Sequence, residues 1–344
     1  MTAPADTVGV MIRRLALALL ACLVVPASAS ADPYLPPPGK VWSGLTAGFD
    51  ASDFERRAGK HPAIWQHFVA WGGNYQYTID NARRARARLM YHLSTSKGQN
   101  LPERFSPGQI ARGAGDGFLL ALSRDIAAAG APAYVRPFGE MNNCNNAYAA
   151  YSCGGGRRDA DHSARTLIKA WKRVHIVMHG GDVAAMNARL ARLRLPRVGT
   201  NAATIPAPQI AFVWAPMTGG APNISALRPQ VYWPGRRWVD WVGTSFYSRF
   251  PNFTGLERFY KDFAVGRNKP FAIAEWAIWG ADAPAFADRL FDWIGSHRRT
   301  RMVQYNQGSQ PGGIFRLSRY PASARVVKRR LASPRYVGFA PEQR

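Results

Sequence analysis

AYVRPFGEMNN, Ala133 to Asn143, is the stretch whose reading decides the fold. Apolar residues run into a proline, and a glutamate, Glu140, stands just past it. A chain that drives a buried strand outward and ends it on a carboxylate is building a layer of polar loops at one end of a core. The same design recurs on both sides of this stretch. Before it come "SGLTAGFD", "AIWQHFVAWGG" and "ARLMYHLS"; after it come "QIAFVWAP", "VDWVGTSFY", "PFAIAEWA" and "RMVQYNQG". Most of these runs are followed by an amphipathic stretch of helical period, such as "GLERFYKDFA" or "PAFADRLFDWIGSH". Near-continuous apolar strands alternating with helices indicate a parallel sheet covered on both faces. Eight such units in a chain of 344 residues fit an α/β fold of the closed (β/α)8 TIM-barrel type. The other arrangement to weigh is an open doubly wound sheet. No G-x-G-x-x-G follows the first strand, so no dinucleotide cofactor is expected, and no other cofactor is indicated.

The N-terminus reads as a leader. Arg13 and Arg14 precede an apolar run from Leu15 to Val25, and an A-x-A site closes at Ala31. That is the pattern of a Sec-type signal peptide, so residues 1–31 are expected to be removed and the chain secreted or periplasmic. The apolar run is too short to span a bilayer, and no later segment is long enough, so no stable membrane insertion is expected after cleavage. Apolar residues continue past Cys22, which argues against a lipoprotein anchor there. A proline-rich leader, 32–43, precedes a single barrel domain, 44–335, and a C-terminal tail, 336–344. A basic, helix-like insertion covers residues 182–208. Once the leader is gone, two cysteines remain, Cys144 and Cys153. In an exported chain they are expected to form a disulfide, bracing the loop after Glu140.

The formal charge is +24, mostly from arginine. Arginine excess has two explanations, a GC-rich genome or an anionic partner. No nucleic-acid-binding signature accompanies it, so no nucleic acid is expected. "HIVMH" sets His175 and His179 at helical i, i+4 spacing, but the glutamate of H-E-x-x-H is missing and no metal is expected.

In a (β/α)8 barrel the reactive groups sit at the C-terminal ends of the strands. The fourth run ends at Glu140 and the seventh at Glu275, so the two carboxylates face each other across the barrel mouth. A pair of carboxyl groups about 5–5.5 Å apart, one ionised and one protonated, hydrolyses a glycosidic bond with retention. Trp71, Trp214, Trp233, Trp276 and Trp279 lie near strand ends and offer flat faces for sugar rings, although tryptophans are also core residues. Arg136 and Asn142 flank Glu140, with barrel pairing and sugar contact equally open for Arg136.

Taken in order, "RPFGEMNN", "AWKRVH", "FVWAP", "YWPGRRWVDWVGTSFY" and "KPFAIAEWA" resemble glycoside hydrolase family 26, whose best-known members are β-mannanases. The resemblance covers roughly residues 44–308. It implies Glu140 as acid/base, Glu275 as nucleophile, Tyr247 as a hydrogen-bond partner of the nucleophile, and His92 as a substrate contact. Arg136, Asn142, Trp71, Trp214, Trp276 and Tyr305 complete the expected sugar site. The partner it implies is a polysaccharide, an anionic one if the charge is functional. Two positions depart from the family pattern. Gly139 stands where a histidine usually precedes the acid/base, and Tyr305 occupies the region of a common tryptophan. These departures bear on the sugar more than on the reaction. A glycan-binding protein without catalysis and a transglycosylase remain the alternatives.

Overall fold

A computed structural model describes Met1 and residues 32–343 except Phe49. The expected signal peptide and Cys22 therefore lie outside the described residues, Met1 apart. Eight strands form one closed parallel sheet: β1 Val41–Thr46, β2 Ile64–Ala70, β3 Arg88–Ser94, β4 Ala133–Pro137, β5 Ile210–Trp214, β6 Trp241–Tyr247, β7 Phe271–Ala277 and β8 Thr300–Asn306. Each pairs in parallel with its sequence neighbours, and β8 returns to β1, pairing Trp42 with Met302 and Thr46 with Asn306. This is the (β/α)8 barrel, and all eight apolar runs of the sequence are its strands. The barrel begins at Val41, three residues ahead of the boundary expected at Gly44, because Val41 and Trp42 already pair with neighbouring strands.

The strands close because each carries two kinds of apolar face. Side chains alternate along a strand. Trp42, Ile64, Met90, Tyr134, Val213, Trp241, Ala272 and Met302 fill the barrel interior. The intervening residues, Leu45, Trp65, Leu89, Val135, Phe212 and Ile273 among them, pack under the surrounding helices. The helices start where the sequence supplies caps. Asp50 accepts from the Ser52 amide ahead of Ala51–Ala58, and Ser163 accepts from Thr166 ahead of Ala164–Met178, each satisfying an otherwise orphaned donor. Among the described residues no helix is long and apolar enough to cross a membrane.

The N-terminal end of the barrel is sealed by the two chain segments flanking it. The C-terminal segment adds Tyr336–Val337 beside β1 as a further parallel strand. Arg88, almost fully buried, forms a bidentate pair with Glu342 (2.6 and 2.9 Å) and donates to the Pro33 carbonyl (2.7 Å). Tyr134 and Trp42 both donate to the Tyr34 carbonyl, at 2.7 and 3.3 Å. The segment expected as a tail, 336–344, is thus part of the closure. The insertion folds as a two-stranded ribbon, Gly181–Asp182 against Thr204–Ile205, around the helix Val183–Arg192.

Removing the carboxylate of Glu342 strands a guanidinium inside the barrel, and a buried unpaired charge is costly. Since Glu342 itself is partly exposed, Glu342→Ala is expected to cost about 2 kcal/mol. Urea unfolding measures it, and an unchanged midpoint would show that Arg88 is not held by this pair.

Candidate active site

At the exit of β4 the chain turns sharply. Pro137 ends the strand, and Phe138 and Glu140 both take left-handed backbone angles, φ 51° and 53°. Such a conformation costs a non-glycine residue roughly 1–2 kcal/mol, so the surroundings must enforce it. They do so from both sides. The Phe138 amide donates to Leu93 at the end of β3 (2.9 Å) and the Glu140 amide to Ala215 just past β5 (2.8 Å). The Phe138 ring is clamped between Trp71, stacked at 5.7 Å, and Tyr148, edge-on at 5.6 Å. The result aims the half-buried Glu140 side chain at the mouth, where Asn143 donates to its Oε2 (2.9 Å). The Cys144–Cys153 disulfide closes the loop that follows.

Glu275 reaches the same mouth by a different device. On β7, Ala272 and Ala274 face the interior, so regular alternation would send Glu275 outward. Both neighbouring strands register an extra residue at this point. Thr244 and Ser245 of β6 pair with Ile273 and Glu275, and Val303 and Tyr305 of β8 pair with Ile273 and Trp276. This β-bulge turns Glu275 inward and Trp276 outward, a common use of bulges beside reactive groups.

The two carboxyl groups sit in unequal surroundings. Glu275 is buried, and its Oε2 lies 2.8 Å from a guanidinium nitrogen of Arg136, itself fully buried. Its Oε1 accepts from the Tyr247 hydroxyl and from Asn306 (3.1 Å), and Asn306 also donates to the Tyr247 oxygen (3.0 Å). Ser245 receives the other arm of Arg136 at 3.0 Å. Burial raises the Glu275 carboxyl above its ordinary range; the Arg136 charge opposes the rise, and the neighbouring Glu140 charge adds to it. Burial, then the charges of Glu275 and Glu140, push the Tyr247 phenol well up, so it stays a donor. Tyr148 senses both carboxylates in the same way. Both carboxyl groups lie at the C-terminal mouth of the barrel, Glu140 just past β4 and Glu275 near the end of β7. Two carboxyl groups so differentiated can divide nucleophile and proton-donor work between them.

His92 stands at this mouth on β3, buried, with its ring edge-on to Phe68 at 5.1 Å and its Nε2 3.5 Å from the Tyr148 hydroxyl. Burial, then the Arg136 charge, hold it neutral. Gly139 is explained by the same neighbours. A Cβ at 139 would lie 2.8 Å from His92 Cε1 and 2.9 Å from Arg136 Nε. The space that a side chain at 139 would need is occupied by His92 and Arg136.

Five other expected sugar contacts are corrected by the structure. Asn142 is fully buried and spends its side chain on the loop after β5, accepting from Met217 (2.8 Å) and donating to Met217, Gly219 and Leu227 carbonyls. Trp214 packs under the helices against Trp233 and Phe259. Trp276, turned outward by the bulge, meets Phe291 and Tyr305, and Tyr305 lies between Trp276 and Phe54. Trp71 is the floor beneath Phe138. A side chain at or near a strand's end is accessible only if it points into the mouth, and these three tryptophans are instead buried in the core. The accessible aromatics are others. Phe68 is 38% and Phe250 61% exposed, and Trp279, half-buried, stands edge-on to Tyr247 (5.6 Å) and Phe250 (5.7 Å). Sequence reading also missed Asn306, Ser245, Asn143 and Tyr148. For Asn143 a signal existed, its place one helical turn past Glu140.

Two variants test this geometry. Gly139→His is expected to lower activity and stability, because His92 and Arg136 must move; assays of hydrolysis and thermal unfolding check it, and a gain in activity would refute the packing account. Arg136→Met removes the charge that holds the Glu275 carboxyl down, so the acidic limb of the pH–rate profile should move to higher pH. Arg136→Lys should move it less, and a profile unchanged in both would show that Arg136 does not set the Glu275 equilibrium.

No protein-family model and no curated protein sequence matches this chain. Solved structures do match its fold. A Bacillus subtilis mannanase aligns at 16% identity over 89% of each chain, with a TM-score of 0.56. A family 26 β-mannanase from Bacteroides ovatus aligns at 16% identity over 88% of this chain and 91% of that one, TM-score 0.54. A family 26 structure from Muricauda sp. MAR_2010_75 aligns at 15% identity over 87% and 91%, TM-score 0.55. The likeness, at such identities, is one of architecture, and the chain has the barrel fold seen in glycoside hydrolase family 26.

Proposed function

We propose that the chain is an exported retaining glycoside hydrolase that cleaves internal β-linkages of a polysaccharide. The observation that carries this reading is the pair Glu140 and Glu275, emerging from β4 and β7 into one mouth with unequal partners. Glu275, held by Arg136, Tyr247 and Asn306, is the nucleophile. Its carboxylate attacks the anomeric carbon and forms a glycosyl-enzyme ester as the bond to the leaving sugar breaks. Glu140, contacted at its carboxyl only by Asn143 among the described residues, protonates the departing oxygen and then takes a proton from the water that hydrolyses the ester. Phe68, Phe250 and Trp279 offer apolar faces for sugar rings, and His92 a neutral polar contact.

The natural substrate in this reading is an anionic exopolysaccharide or envelope glycan in preference to plant mannan. Arg249 supports it: it follows β6, lies 5.2 Å over the Trp279 ring, and has no carboxylate partner among the described residues. An exposed cation on an aromatic platform suits a sugar bearing a carboxylate or sulfate. The filled space at Gly139 supports a pocket unlike that of a mannanase.

Substrate screening on acidic exopolysaccharides, β-mannan, mixed-linkage β-glucan and β-1,3-xylan across a salt series tests the substrate. Salt-sensitive cleavage of an anionic glycan is expected; efficient mannan cleavage with none on any anionic polymer would reject it. Glu275→Ala should abolish turnover on every substrate. Glu140→Ala should slow the polymer by about 10²–10⁴-fold while sparing activated aryl glycosides, whose leaving groups need little protonation. Wild-type rates in the Glu275 variant would overturn the assignment.

A further inference from the structure

His175 and His179 lie at the C-terminal end of the helix Ala164–Met178, far along the chain from either glutamate. Asp240 stands immediately before β6, at the N-terminal end of the strands and so on the opposite end of the barrel from the mouth. One ligand-capable atom from each of the three lies within 4.8 Å of the others. We propose that His175, His179 and Asp240 form a binding site for a divalent transition metal, best suited to Zn²⁺, that ties the end of this helix to the start of β6.

The side-chain chemistry fits. His179 Nδ1 lies 2.6 Å from the His175 carbonyl oxygen. That carbonyl needs a donor, so Nδ1 carries the proton and the lone pair is left on Nε2. A backbone carbonyl orienting one ring nitrogen while the other is offered to a metal is a recurrent arrangement. Asp240 is also pre-set, since its Oδ2 accepts the Phe212 amide at 2.7 Å, leaving the other oxygen available. His175 is more than nine-tenths buried, yet its Nδ1 has no hydrogen-bond partner among the described residues. An orphaned ring nitrogen at that depth requires an explanation. The two imidazoles lie 4.1 Å apart with their planes 25° from parallel, both against Phe212, so one ring must rotate for their in-plane lone pairs to meet at one ion.

The surrounding charges select among metals. Arg189 acts on both histidines, and Lys269 on Asp240. This mixed field disfavours hard ions such as Ca²⁺ or Mg²⁺, which need several carboxylates. A borderline ion held chiefly through imidazole tolerates it better. With metal–ligand bonds of 2.0–2.1 Å, tetrahedral donors lie about 3.3 Å apart, so the trio needs a small inward adjustment of side chains. Asp240 and His179 are half-buried, so the fourth position can be filled by water. The site adjoins the root of the insertion, whose first residues, Gly181–Asp182, follow His179 by one glycine. A metal at this point is structural in role, bracing helix, β6 and insertion together.

The test uses the mature protein stripped with chelator and titrated with Zn²⁺, and with Co²⁺ as a spectroscopic probe. The proposal predicts one equivalent bound, ligand-field bands of a low-coordinate Co²⁺ centre, and a Tm rise of roughly 5 °C at a hundredfold excess over Kd. His179→Gln should lose the bands and the rise. Asp240→Asn, which can still accept the Phe212 amide, should weaken both. Failure of the wild type to bind more metal than His179→Gln, or identical bands in both variants and wild type, would overturn it.

Discussion

The ion pair between Arg136 and Glu275 is the constraint around which the barrel mouth is organised. Neither group can be buried alone: desolvating a single charge costs far more than burying a matched, hydrogen-bonded pair. Arg136 therefore fixes where Glu275 must be, and Glu275 fixes Arg136. Ser245 takes the second arm of Arg136, and Tyr247 and Asn306 take the second oxygen of Glu275, which ties β4, β6, β7 and β8 to one another at their C-terminal ends. The bulge in β7 and the left-handed turn after β4 are the backbone consequences. Each is locally unfavourable, and each holds because the barrel around it is closed. His92 and Gly139 belong to the same constraint, since Arg136 and His92 take the room that a side chain at 139 would need.

Much of this was legible in the sequence, and the exceptions have physical reasons. Eight apolar runs with helices between them suffice to read a barrel, because a strand buried on both faces leaves a dense apolar signature whatever its neighbours do. The positions of Glu140 and Glu275 near the ends of β4 and β7 were legible from where the apolar runs stop, but the inward turn of Glu275 rests on the bulge. The aromatic residues were misread because accessibility at a strand's end depends on parity, and parity depends on a bulge that "FAIAEWA" does not announce: alanine and isoleucine suit either face. Asn142 was misread for another reason. An asparagine beside Glu140 looks like a ligand contact, but its amide is spent on the backbone of the loop after β5, accepting from Met217 and sharing its two hydrogens among the Met217, Gly219 and Leu227 carbonyls. The partners of Glu275 on β6 and β8 are far away in the chain, and only closure of the sheet brings them in.

The two ends of the barrel divide their tasks. The N-terminal end holds polar groups that serve closure: Arg88 with Glu342, Tyr134 and Trp42 with the Tyr34 carbonyl, and the cluster at Asp240. The C-terminal end holds polar groups whose burial is a burden to stability and whose value lies in chemistry. The +24 charge belongs to neither core. Its arginines lie mostly outside, where they set the field a charged polymer would meet and not the fold.

Direct attack of Glu275 on the sugar is the step on which the proposed chemistry depends. Proton NMR of the first-formed product, recorded before mutarotation on whichever glycan the protein cleaves, tests that step most directly. A covalent intermediate on Glu275 requires two inversions at the anomeric carbon, so a β-linked substrate must yield the β-anomer first. An α-anomer as the first product would mean a single displacement by water, and a nucleophilic Glu275 held by Arg136 and Tyr247 would have to be abandoned.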